Sequence, residues 1–389
     1  MRVGLFIDMW DPLINGVITS VKESQKGLEK LGVETYIITG GKVDKPTLEG
    51  NIVFLPCKEF KVWNSSIINW LSPENRRFVS SLNLDLVHSH LEGATGFLAS
   101  AIAKENNIPH VSTWHTCYYD YKHYVLYNFL YAETIIEKIA AHKYCGHKVE
   151  AVIAPSEKIA NHLTKKLKIY HTPHIIKTGI DMCTQEIDKE ELDKLKAELG
   201  IAQTDFVLSY VGRLAKEKNI KFLLEAQIAL NLVDNNIKLL IVGDGPQQKE
   251  LEEYAKTLQI SDSVIFVGKK PHSELNKYYQ ISDINVNAST TESQGLTVLE
   301  ALQNGVPVCC INDSAYNYII KNNYNGLIFS NISEYLNAII TLKQNDNLEH
   351  MKKNAIKSGR EYNNIDYAKS VLQVYKESLE EHRIKQYKR

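Results

Sequence analysis

At 389 residues and 44% hydrophobic content, the chain exceeds what one hydrophobic core comfortably holds and reads as two α/β domains. A formal net charge of -1 leaves no global basic footprint, so no nucleic-acid partner is expected. The opening MRVGLFIDMW has too few apolar residues before Asp8 and Asp11 for a signal peptide or a spanning helix, which predicts a cytoplasmic chain.

The opening instead predicts a buried strand, followed by a helix from about Val17 to Leu31 that stops at Gly32, a residue suited to the left-handed C-terminal cap. Asn15-Gly16-Val17 opens that helix. Gly16 lets backbone amides approach a ligand with no Cβ in the way, and an ordinary glycine turn explains it equally. The runs TYIIT, NIVFLP, LDLVHSH, HVSTW and AVIAPS each end near Gly, Pro, Ser or His, the layout of parallel strands joined by crossover helices. His115 follows HVSTW, beyond the C-terminal end of a predicted strand. It is read as a sugar or acceptor contact, against the alternative of a structural histidine.

MCTQEIDKEELDKLKAELG is charged and lacks a strand pattern, which places an interdomain connection near Gly179 to Gly200. The domains expected are residues 1–180, residues 200–364 and a helical tail over 365–389. The second half repeats the scheme with FVLSYVG, IKLLIVG, SVIFVG, DINVNAS, VPVCCIN and GLIFS, predicting a second doubly wound sheet and a cleft between the domains, beyond the C-terminal strand ends. Cys57, Cys117, Cys145, Cys183, Cys309 and Cys310 show no C-x-x-C spacing, so reduced, structural thiols and no zinc site are expected.

The most informative stretch is NASTTESQGLTVLEALQNGVPV, a loop opening into a helix after the strand DINVN. Glu292 lies in the loop and Glu300 about two turns into the helix. They bracket Gly295, Leu296 and Thr297, whose free amides suit an anion at the helix N-terminus. Carboxylates accept paired hydroxyl hydrogen bonds, so one suits a ribose and the other a transferred sugar, while two solvated glutamates are the plainer alternative. In VGRLAKEKN, Arg213 and Lys218 lie in a strand-to-helix loop. Two cations there suit a diphosphate whose charge grows as it leaves, and surface salt bridging is the competing reading. IVGDGPQQ turns through Gly243 and Gly245 but lacks the third glycine of a dinucleotide fingerprint.

Together these residues resemble the retaining glycosyltransferases of family four, which have the GT-B fold of two Rossmann-like, doubly wound parallel-sheet domains. MRVGLFIDMWDPLINGVITSV, PSEKIANHL, KTGID, VGRLAKEKN, VGDGP, FVGKKPHSELNKYY and TTESQGLTVLEAL stand in the family's order along nearly the whole chain. The resemblance implies that Arg213 and Lys218 bind the donor diphosphate, Glu300 the ribose and Glu292 the donor sugar, aided by main-chain groups of Ser293, Gln294, Gly295 and Leu296. Gly268 and Thr297 join this donor-binding set, and Gly16 and His115 complete the site from the other domain. Also implied are a tail that returns to the first domain and a front-side displacement, in which the donor phosphate helps deprotonate the acceptor and no protein nucleophile is needed.

Within the family, T-E-S-Q-G-L-T and H-T-C-Y-Y-D-Y-K-H-Y look most like bacterial enzymes that glucosylate diacylglycerol or its monoglucosyl derivative from UDP-glucose. Tyr119 stands where the pattern has Glu, and HSHLEG departs from the aromatic expected after Glu92; both departures bear on the acceptor. A lipid acceptor implies a membrane-facing surface. KEFKVWNSSIINWLSPENRRF supplies Phe60, Trp63, Ile67, Ile68, Trp70 and Leu71 among Lys58, Lys61, Arg76 and Arg77, which suits an anionic interface or a segment packed on its own domain. The expectation is a peripheral enzyme on the inner face of the cell membrane, with UDP-glucose as donor substrate and no cofactor. The lack of a D-x-D pair predicts no obligatory divalent metal. Rival acceptors are a polyprenyl-linked sugar, a cell-wall polymer or a protein. From other classes come a non-catalytic sugar-nucleotide sensor and a dinucleotide oxidoreductase, the latter disfavoured because no G-x-G-x-x-G follows either first strand.

Overall fold

The computed structural model describes residues 1–10, 15–60, 65–90, 93–115, 132–146, 148–181, 187–344 and 347–388. They divide into two compact units, Met1–Gly179 with Asn363–Arg389, and Ile180–Tyr362.

In the first unit, β1 (Arg2–Phe6) is apolar on both faces, as a central parallel strand covered by helices requires, and Val3, Leu5 and Phe6 are fully buried. α1 (Gly16–Lys30) starts where the Asn15 side chain accepts the Ile18 amide at 2.9 Å, satisfying one orphan first-turn N–H. It ends before Gly32, whose φ of 79° is left-handed as expected. There follow β2 (Glu34–Gly41), β3 (Thr47–Glu49), β4 (Ile52–Phe60), β5 (Ser65–Ile68), α2 (Pro73–Ser80), β6 (Leu86–Ser89), α3 (Ala94–Asn106), β7 (His110–Thr113), α4 (Ala132–Tyr144), β8 (Ala151–Ala154), α5 (Glu157–Asn161) and β9 (His174–Ile175). The sheet runs β3-β4-β2-β1-β6-β7-β8-β9, so the strand order reverses between β1 and β6.

Two differences from the sequence reading lie at one edge of this sheet. β3 and β5 both pair antiparallel with β4, so the edge is not purely parallel. The segment read as a membrane patch is thereby split. Ile68 is buried and Trp70 stacks on Phe97 at 5.1 Å, so both face their own unit, whereas Ile67 and Leu71 are exposed. Arg76 is occupied by Glu105 at 2.6 Å and by the Trp70 carbonyl at 3.1 Å. Lys61 and Trp63 lie outside the described residues, as do Glu92, Cys117, Tyr119 and Cys183.

The second unit contains α6 (Lys189–Glu198), β10 (Phe206–Val211), α7 (Ile220–Val233), β11 (Ile237–Val242), α8 (Gln248–Thr257), β12 (Val264–Gly268), α9 (Leu275–Gln280), β13 (Ile284–Asn287), α10 (Leu296–Gln303), β14 (Val308–Ile311), β15 (Gly326–Phe329), α11 (Ile332–Gln344) and α12 (Leu348–Arg360). Its strands are parallel in the order β12-β11-β10-β13-β14-β15, with the reversal between β10 and β13. The charged stretch read as a connection carries α6, which belongs to this unit. Leu195 is buried with Ile201 and Val207, and Leu192 and Leu199 pack alongside.

α13 (Asn364–Tyr387) returns to the first unit and lies along α1. Ala368, Val371 and Tyr375 share a core with Val21 and Leu28. The hydroxyls of Ser20, Thr178 and Tyr367 hydrogen-bond to one another at 2.9 and 3.1 Å, and Asn364 donates to buried Glu23 at 3.1 Å. Cys57, Cys145, Cys309 and Cys310 are free thiols, and burial raises the last two well above the ordinary thiol range, Cys310 to about 12.

Candidate active site

β10 and β13 are neighbours across the reversal in strand order, where doubly wound sheets bind ligands beyond their C-terminal ends. The loop after β10 holds Arg213 and one tight turn, Lys216–Lys218, and the loop after β13 holds Glu292. The loops are tied through one carbonyl, that of Glu217, which accepts the Thr290 amide at 3.2 Å and the Ser289 hydroxyl at 3.3 Å. Lys218 Nζ then donates to Glu292 Oε1 at 2.5 Å, with both side chains largely buried. Two residues separated by 74 positions and expected to hold different parts of a donor are therefore in direct contact.

Glu300 lies in the second turn of α10 and is almost fully buried. Its Oε2 accepts the Tyr279 hydroxyl at 2.9 Å, and its Oε1 lies 3.1 Å from His272 Nε2. Burial, and then the adjacent Glu300 carboxylate, push the Tyr279 phenol well above its ordinary value, so it stays a proton donor.

Gly295 caps α10 with φ 80°, and a Cβ there would meet Tyr316 at 2.7 Å, so both conformation and space demand glycine. The Tyr316 hydroxyl donates to Asn287 Oδ1 at 3.0 Å, the oxygen that also accepts the Ser289 amide at 2.9 Å. Tyr318 donates to the Gln294 carbonyl at 2.9 Å. The Ser293-Gln294-Gly295-Leu296 loop is thus braced by two tyrosines and an asparagine, and the amides of Leu296 and Thr297 fall in the first helical turn, which has no intrahelical acceptor for them.

Sequence reasoning does not single out Tyr279, His272, Asn287, Tyr316 or Tyr318. The tyrosines lie in the polar stretches ELNKYYQISD and NDSAYNYIIKNN, so no local pattern announces their burial.

Arg213 is exposed, and its carbonyl accepts the Tyr210 hydroxyl at 3.0 Å. Its loop is zipped to VGDGP by main-chain bonds from Leu214 to Asp244 at 2.7 Å and from Gln247 to Leu214 at 3.0 Å. Gly268 ends β12 and accepts the Gly243 amide at 2.9 Å, which brings three strand-end loops together. The glycine turn of VGDGP supports the Arg213 loop.

In the first unit, Gly16 begins α1 and is exposed. His115 follows β7, is buried, and places Nε2 3.2 Å from His90 Nδ1. His88 and His110 are buried near the ends of adjacent strands. Burial lowers all four imidazoles, His110 and His115 to about 4, and the neighbouring rings add to it for His88 and His90. Asp8 accepts the Thr95 amide at 2.8 Å, and burial, outweighing that bond, raises it to about 6.

These shifts set an acid response. The unfolded chain takes up protons on the histidines below pH ~6.5 that the folded unit refuses, so their contribution to stability is lost as pH falls. Asp8 acts oppositely, gaining stability as pH falls from about 6 towards 4, but it is one group against four. On these five groups, unfolding of this unit near pH 5 is expected to take up protons on balance. All four tryptophans, Trp10, Trp63, Trp70 and Trp114, belong to its sequence, so the urea midpoint read by fluorescence should fall between pH 7 and 5. A midpoint that holds or rises contradicts this account.

Residues 14–182 match the family described as Glycosyltransferase Family 4, and residues 192–361 that described as Glycosyl transferases group 1. The chain is 33% identical to an alpha-monoglucosyldiacylglycerol synthase of Acholeplasma laidlawii over 96% of each chain. It is 33% identical to a second such synthase, from Streptococcus pneumoniae, over 87% of this chain and 78% of that one. Among solved structures, Anabaena HepE in complex with UDP and glucose has a TM-score of 0.77 at 16% identity, covering 97% of this chain and 100% of that one. Sucrose-phosphate synthase from Thermosynechococcus elongatus has a TM-score of 0.78 at 18% identity, covering 97% and 98%. These likenesses speak for the fold, which is GT-B. With both units matched and a relative alike from end to end, the chain belongs to glycosyltransferase family 4.

Proposed function

We propose that this glycosyltransferase moves glucose from UDP-glucose to diacylglycerol, or to its monoglucosyl derivative, to make a membrane glycolipid. The observation that carries the reading is the 33% identity, over 96% of both chains, to an alpha-monoglucosyldiacylglycerol synthase. Lys218 and Arg213 hold the diphosphate and offset its charge as the glycosidic bond breaks. The first-turn amides of α10 take a phosphate oxygen, Glu300 takes the ribose hydroxyls, and Glu292, with the main chain of residues 293–296, takes the glucose. Gly16 and His115 are the substrate contacts supplied by the first unit. Two cations do the work that a divalent metal performs elsewhere, so activity persists in EDTA.

The enzyme works at the inner face of the membrane. Exposed Ile67 and Leu71, beside exposed Lys58 and Arg77, support that placement, since apolar and basic groups together suit an anionic interface. Among the described residues no helix is long and apolar enough to cross a membrane. The test is incubation with UDP-glucose and anionic vesicles containing diacylglycerol, following UDP and the lipid product by mass spectrometry. A hexosyl-diacylglycerol is expected. Slow release of UDP with no lipid product would leave the donor and remove the acceptor; no binding or cleavage of the nucleotide sugar would remove the reading altogether.

A further inference from the structure

Three imidazoles of the first unit form one contiguous cluster where its strand order reverses. His88 lies in β6 and His90 two residues on, so strand alternation sends both to the same side. Their ring centroids are 4.0 Å apart. His88 is held at both nitrogens, Nδ1 at 2.6 Å from the Tyr375 hydroxyl of α13 and Nε2 at 2.7 Å from the Thr113 hydroxyl. His90 is held at one: Nδ1 lies 3.2 Å from His115 Nε2, and among the described residues its own buried Nε2 has no hydrogen-bond partner. Among the described residues, His115 makes no other side-chain hydrogen bond.

That asymmetry decides where the protons sit. The rings are buried and neutral, so each carries one N–H and one bare nitrogen. Were the His90 proton on Nε2, a buried donor would have nothing among the described residues to receive it, the rarest kind of orphan in folded proteins. On Nδ1, the proton is used on His115, and only a lone pair is left over. His115 Nε2 then accepts, so the His115 proton must lie on Nδ1.

We propose that His90 is a positioning residue that fixes His115 as its Nδ1–H tautomer, so that His115 meets the sugar substrate as a hydrogen-bond donor to oxygen and not as a base. This rests on the reading of His115 as a substrate contact. It fits a reaction whose acceptor proton is taken by the leaving phosphate, since a second base at His115 would be idle. The cluster reaches α13, where the Tyr375 hydroxyl hydrogen-bonds His88, whose ring lies against that of His90.

The experiment combines a spectrum with kinetics. In protein labelled with 15N-histidine, the His115 ring, identified by its loss in His115→Gln, should show a protonated Nδ1 and a bare Nε2; a protonated Nε2 overturns the proposal whatever the enzyme's activity. Removing the orienting partner by His90→Leu should lower kcat about 10–100-fold, as losing the group that orients an imidazole does elsewhere, with KM for UDP-glucose changed less than about threefold. His90→Asn carries an amide nitrogen where Nδ1 was and should stay within about threefold of the parent kcat. Equal losses in the two variants, with tryptophan fluorescence and melting temperature unchanged, would mean that His90 only fills space. If the parent protein transfers no glucose, the functional reading fails, and the spectrum still decides the tautomer.

Discussion

Replacing Lys218 with alanine is expected to lower kcat for glucosyl transfer by about 10²–10³, the range for removing one preorganised group at a developing anion. The reason lies in the contact at 2.5 Å between Lys218 and Glu292. Both side chains are mostly buried, so neither charge is well screened by water, and deleting one leaves the other uncompensated. On the proposed donor site, Lys218→Ala leaves the Glu292 carboxylate facing the diphosphate without that cation between them, and UDP affinity should drop about tenfold, an ordinary size for a desolvated charge pair. Adding Glu292→Gln removes the repulsion. The double variant should recover most of the UDP affinity while its turnover stays low, because the cation proposed to stabilise the leaving group is still missing. UDP titration calorimetry and steady-state rates on the four proteins of this cycle measure both quantities. Affinity losses that merely add would show that the two side chains act independently.

Replacing Gly27 with leucine is expected to cost the first unit about 3 kcal/mol, the upper end for overpacking. Gly27 lies where α1 meets α13, and a Cβ there would stand 2.5 Å from the Ala368 Cβ and 2.6 Å from the Asn364 carbonyl oxygen. The latter belongs to a backbone anchored by the Asn364–Glu23 bond, so the collision is not relieved by rotating a side chain. The helices must separate, exposing Val21, Leu28 and Val371. Because the tryptophans report on this unit alone, the fluorescence midpoint in urea should fall, while a circular-dichroism transition of the second unit stays in place. An unchanged fluorescence midpoint would show that α1 and α13 part without cost.

The strands were legible because central parallel strands bury both faces and read as unbroken apolar runs; Phe206 to Val211 is buried at every position. β3 and β5 escaped because three or four partly polar residues at a sheet edge carry no such signal. α6 was hidden by its charge, although Leu192, Leu195 and Leu199 recur at helical spacing and do face the core. Lys218 and Glu292 were each visible as loop residues after strands, but their contact depends on the tie from Ser289 and Thr290 to Glu217, which no local pattern announces. His90 was invisible for a different reason. In LDLVHSH it resembles any polar residue at a strand end, and only the fold reveals that the next strand delivers His115 to its ring.

The return of α13 to α1 has a consequence for how the protein is made. A ribosome releases α1 early, but the part of its surface that meets α13 stays uncovered until residues 364–387 emerge, more than three hundred codons later. At about 5–20 residues per second that is a wait on the order of 20–70 s. Residues 180–362 are contiguous and can close during that time. Synthesis therefore runs from the N-terminus while folding finishes there, and the nascent first unit spends the interval with its α13-binding surface exposed.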